Sequence, residues 1–70
     1  MQITLQKGEH KALLRNTGKL VSLVSWVGFS RVQNITGMRT EYMGNEKEAT
    51  VLFRKMSNLM QSNGYNLLRQ

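Results

Sequence analysis

Residues 9–27 read EHKALLRNTGKLVSLVSWV, and the fold turns on whether this stretch is a hairpin or a helix. At its centre lies Arg15-Asn16-Thr17-Gly18-Lys19. A three-residue loop with Gly in the left-handed position is a common hairpin connection. Such a loop would pair residues 10–15 with residues 19–27, setting Leu14 opposite Leu20, Leu13 opposite Val21 and Arg15 opposite Lys19. A helix competes, because Leu20, Leu23, Val24 and Val27 recur at helical spacing. Gly18 and the β-branched Val21, Val24 and Val27 oppose it, since branching at Cβ favours strands. The strand reading is adopted.

Toward the N-terminus, residues 2–6 alternate, with Ile3 and Leu5 on one face and Gln2, Thr4 and Gln6 on the other, as in a half-buried strand. Lys7-Gly8-Glu9 then turns the chain into the second strand. Glycines punctuate the first half at positions 8, 18, 28, 37 and 44, a spacing that suits short strands. Residues 29–36 are expected as a fourth strand and residues 39–43 as a fifth.

The gap between Gly44 and Gly64 leaves room for one long helix. Asn45 is its expected N-cap, and Glu48, three residues on, closes a capping box. Ala49, Leu52, Phe53, Met56, Leu59 and Met60 then form an apolar stripe, with Lys47, Arg54, Asn58 and Gln61 off it. Asn63-Gly64 ends the helix, because Gly takes the left-handed conformation without steric cost. Residues 65–69 return as an edge strand or fray. The expected architecture is α+β: a small antiparallel sheet of three to five strands over about residues 2–43. One C-terminal amphipathic helix, about residues 45–62, packs on one of its faces. The whole of residues 1–70 is read as a single small basic domain.

Composition bounds the chemistry. A chain of 70 residues buries only about 60% of the surface it exposes when unfolded. With no Cys, no disulfide compensates, so a homodimer is expected to supply the missing burial. There is no signal-peptide-like stretch at the start, and the most apolar run, residues 20–29, is too short for a bilayer. A cytoplasmic protein without a membrane role is the expectation. Asp is absent and His10 is the only His, so no His-dependent triad stands out. Neither zinc-ligand clusters nor phosphate-loop or dinucleotide motifs occur. Glu46 and Glu48 are explained by the helix dipole. The reading is therefore a non-enzyme with no cofactor and no metal.

What remains is charge. Ten Lys and Arg against four Glu give a formal net charge of +6 and a pI near 10.4. Such a chain attracts polyanions before any specific contact forms. Lys11, Arg15 and Lys19 carry most weight, with Arg31 and Arg39 extending the set. A phosphate between Arg15 and Lys19 would relieve their cross-strand repulsion; alternatively, both side chains reach apart into water. Trp26 and Tyr42 are candidates for base stacking, although a core this small also needs Trp26.

Three functions follow. One is a non-enzymatic nucleic-acid-binding protein holding single-stranded DNA, RNA or a duplex backbone on a basic sheet face. A second is a small phage or mobile-element accessory protein that binds and inhibits a host protein through its basic surface, matched to an acidic patch on that protein. A third is a ribbon-type DNA-binding dimer whose first strand, through Gln2, Thr4 and Gln6, enters a groove. Against the third, few residues separate Leu5 from Gly18 for the helix and turn it would need.

Overall fold

In the computed structural model, which describes residues 1–28 and 34–68, the disputed stretch is a hairpin. Four strands precede the helix: β1 (Gln2–Lys7), β2 (His10–Thr17), β3 (Leu20–Val27) and β4 (Ile35–Tyr42). Helix α1 (Glu46–Ser62) follows, and β5 (Asn66–Leu68) closes the chain. All strand pairs are antiparallel, in the order β4-β3-β2-β1-β5. The α+β expectation holds. The strand expected over residues 29–36 lies partly outside the described residues. From Ile35 onward it and the expected fifth strand are one element, β4. The tail returns as an edge strand, β5 against β1.

The hairpin register corrects the one read from the sequence. Thr17 pairs with Leu20, Leu14 with Leu23 and Arg15 with Ser22. Gly18 opens a two-residue turn at φ +57°. Lys19 has a negative φ, as does Glu9 after Gly8 (φ +61°) in the β1–β2 turn. A positive then a negative φ is the II′ pattern, which suits the twist of paired strands. The pairing is displaced by three residues from the expected one, so β3 shows β2 its opposite set of side chains. Arg15 and Lys19 are not cross-strand neighbours, and no repulsion between them needs relief.

Alternation sorts the side chains into two faces. One carries Ile3, Leu5, Ala12, Leu14, Asn16, Val21 and Leu23, and α1 packs there, chiefly on β2 and β3. Leu5, Leu14, Val21, Ala49 and Phe53 form the buried cluster, with Leu52, Met56, Met60 and Tyr65 against it. The helix begins as the sequence implies: the Asn45 side chain accepts from the Glu48 amide at 2.8 Å. The Glu48 carboxylate reaches past the cap and accepts from the Gly44 amide at 3.1 Å. Leu59 departs from the expected stripe. It is 62% exposed, while Ser57 takes a buried position.

Candidate nucleic-acid interface

Among the described residues, no helix covers the opposite sheet face. Register places its side chains in four rows across the strands. The first is Asn66, Gln6, Lys11, Trp26 and Ile35, and the second is Leu68, Thr4, Leu13, Val24 and Met38. The third is Gln2, Arg15, Ser22 and Thr40, and the last is Thr17, Leu20 and Tyr42. The face is therefore an apolar centre with one cation in the row on either side. Lys11 and Arg15 stand about 13 Å apart along β2, at the usual rise per residue, with Leu13 between them.

Charge is unevenly divided between the two sides. Glu9 sits in the β1–β2 turn, and Glu46 and Glu48 in the first helical turn. Glu41 pairs with Val21 and so belongs to the helix side. No Glu occupies a strand position of the open face; Glu9, in the β1–β2 turn, lines a hollow at its edge with Gln6 and Lys11. Two cations thus face one carboxylate there, and the potential stays positive.

The residues singled out from the sequence do not all gather on this face. Lys11, half-buried, and Arg15, exposed, share it. Lys19 is exposed in the turn at one end, opposite Met43, whose amide donates to its carbonyl at 2.8 Å and which packs against the cluster beneath α1. Tyr42 is on the open face and 81% exposed. Trp26 is on the same face but only 8% exposed, and it stands outside the cluster beneath α1. Its ring therefore presents little surface to a base. Arg39 pairs with Leu23 on the helix side, where its guanidinium forms an ion pair with Glu41. Arg31 lies outside the described residues.

Sequence reasoning passed over Met38 and Ile35, which are 71% and 45% exposed. Met, flexible and polarizable, packs well against flat rings. The signal was present in the alternation of Met38, Thr40 and Tyr42, but the division of this segment into two strands hid it. A second feature lies on the other side. An open groove of about 380 Å³ is lined by Met43, Lys47, Glu48, Val51, Leu52 and Lys55. Among the described residues, no group of His or acidic side chains is placed to hold a metal ion, and no helix is long and apolar enough to cross a membrane. β1 is an interior strand between β2 and β5, and the segment after it is strand, so the ribbon-helix arrangement is absent here.

Comparison with known protein families, with curated proteins and with solved structures gives no match.

Proposed function

We propose that this chain is a non-enzymatic nucleic-acid-binding protein whose open sheet face receives a single strand of DNA or RNA. The observation that carries the reading is the excess of positive charge on this face: Lys11 and Arg15 project from it, and of the four Glu only Glu9, in the β1–β2 turn, borders it. Phosphates are neutralised by the two cations and by Lys19 at the adjoining turn. Bases lie against Leu13, Val24 and Met38, with Tyr42 as the stacking ring. Single strands suit a shallow sheet face because their unpaired bases are free to lie flat on apolar and aromatic side chains. A duplex offers only its backbone to such a surface. The protein works as a homodimer in this reading.

The test is fluorescence anisotropy with labelled single-stranded DNA, duplex DNA and RNA over a salt series. Three phosphate contacts per chain predict a log–log salt slope of about −2 to −3, and tighter binding of single strands than of duplex. Absence of binding to all three at about 50 mM salt, where such contacts are strong, rules the reading out.

The groove beside α1 favours a second reading, the binding and inhibition of an acidic protein. Lys47 and Lys55 flank an apolar floor of Met43, Val51 and Leu52, which suits an apolar side chain set among carboxylates. Nucleic-acid binding that survives Lys47→Glu and Lys55→Glu separates the two surfaces.

A further inference from the structure

We infer that β4 is a dimerisation edge, on which a second copy of this chain adds its own β4 antiparallel and in one register. The inference concerns self-association and stands independently of nucleic-acid binding.

Among the described residues β4 ends the sheet order; it is eight residues long and carries three exposed large apolar side chains, Ile35, Met38 and Tyr42. An edge of that length presents a row of backbone groups to a further strand. Which groups point outward follows from the ladder. The Met43 amide donates to the Lys19 carbonyl, in the same register as the Leu20–Tyr42 and Val21–Glu41 pairs. Hydrogen-bonded and non-bonded pairs alternate along an antiparallel ladder. The amides and carbonyls of Gly37, Arg39 and Glu41 therefore face β3, and those of Met38, Thr40 and Tyr42 face outward.

Charge then selects the register. With Thr40 opposite Thr40 of the second copy, Met38 lies opposite Tyr42 and each of these residues meets its partner in a hydrogen-bonded pair. In the same register Arg39 lies opposite Glu41 of the other copy, and Glu41 opposite its Arg39. These are non-bonded positions, where Cα atoms approach to about 4.5 Å and side chains are closest. Sliding the strands one step either way, while keeping outward groups paired, sets Arg39 against Arg39 or Glu41 against Glu41. Like charges directly opposite are destabilising. The Arg39–Glu41 ion pair within each strand thus becomes half of a four-membered network across the two-fold axis. The five-stranded sheet continues into its copy, and the two open faces merge into one surface with Met38 and Tyr42 at the seam. A strand-pair interface is small, so dissociation in about the micromolar range is expected.

The test is sedimentation equilibrium over about 1–300 μM chain, a range set by that affinity. The mass should rise with concentration from 8.0 kDa toward twice that value. Arg39→Glu and Glu41→Arg should each weaken self-association at least about tenfold, because two attractive pairs become two repulsive ones. An equimolar mixture of the two variants should associate like the parent, since every Glu then faces an Arg. The doubly swapped chain, R39E with E41R, should also recover association. A parent chain that stays monomeric throughout overturns the proposal and leaves the edge to a strand of another protein. Single variants that dimerise like the parent, or a mixture no better than its components, overturn it as well. Circular dichroism of each variant separates loss of fold from loss of pairing. If a single variant does not fold, the swapped chain, which keeps the ion pair within the strand, decides the question.

Discussion

The Lys7 ammonium donates a hydrogen bond to the Asn63 carbonyl at 2.7 Å, joining the end of the first strand to the end of the helix. The last turn of α1 has no basic residue of its own. Lys7, 56 positions earlier in the chain, supplies the positive charge that the C-terminal end of a helix dipole favours. Its ammonium also lies 5.9 Å from the centre of the Tyr65 ring. Lys7→Met, which keeps the stem and removes the charge, should destabilise the fold by about 0.3–1 kcal/mol at low ionic strength. The loss should shrink in about 0.5 M salt as the charge is screened. Urea denaturation at the two salt concentrations measures both effects.

The helix offers a contrast between two apolar residues of the expected stripe. Phe53 is 5% exposed and belongs to the core, whereas Leu59 is 62% exposed. Phe53→Ala should cost about 3–5 kcal/mol, enough to unfold a marginal domain. Leu59→Ala should change stability by no more than about 0.5 kcal/mol. Equal effects in thermal unfolding would mean that the helix is rotated about its axis.

How much of this was legible in the sequence varied with the kind of signal. The helix was readable to within a residue, because Asn45, Glu48 and Gly64 are local signals that act through their own backbone. The β2–β3 register was not. Gly18 marks a turn equally well as the last residue of a three-residue loop or the first of a two-residue one. The pattern of β3 does not decide between them, since Val21 and Leu23 on one side and Leu20 and Val24 on the other are both apolar. Pattern fixes register only where one side of a strand is polar. The same ambiguity scattered the candidate site. Lys11 and Arg15, four apart on one strand, necessarily share a face, but Lys19 and Arg39 depended on the register and on the extent of β4. The open face as a whole emerged only when all five strands were aligned.

Gly18 itself is open to test. A Cβ there would meet only the Glu46 carboxylate, at 3.8 Å, so space is available. The cost of Gly18→Val is therefore that of holding a β-branched residue at φ +57°, about 1–3 kcal/mol. Lys19→Val, at a negative φ, should be close to neutral. Chemical denaturation of the pair distinguishes backbone strain from loss of turn contacts.

Asn16 is a polar residue in an apolar place. It is 9% exposed on the helix side of β2, and its amide nitrogen donates to the Thr50 hydroxyl at a long 3.4 Å. Its Oδ1 is buried and has no protein partner. Thr50 keeps its own bond to the Glu46 carbonyl at 3.0 Å, so little depends on the Asn side chain. An unpaired buried acceptor costs about 1–3 kcal/mol. Asn16→Val removes it and adds a strand-favouring residue. The expected outcome is unchanged or raised stability, by up to about 1 kcal/mol, within the range for relieving such a group. A clear drop in melting temperature would mean that Oδ1 is satisfied by ordered water.

The open face makes the most discriminating prediction. Replacing Lys11 and Arg15 together by Gln removes both cations from the face while keeping most of the stem of each side chain. Arg15 is exposed and outside the buried cluster, so its replacement should change stability by no more than about 0.5 kcal/mol. Lys11 is half-buried, and circular dichroism of the double variant checks that the fold is kept. If each neutralises one phosphate, the salt slope for single-stranded DNA should become shallower by about 1.4, at 0.7 per contact. Arg54→Gln with Lys55→Gln removes the same charge from exposed positions on the helix, and should leave the slope unchanged. That control separates a located interface from the diffuse attraction of a chain carrying net charge +6. Equal losses from both pairs would mean that binding follows total charge and that the open face has no particular part in it. A loss confined to Lys11 and Arg15, together with weaker binding by Tyr42→Ala at unchanged slope, assigns phosphates to the two cations and a base to the ring.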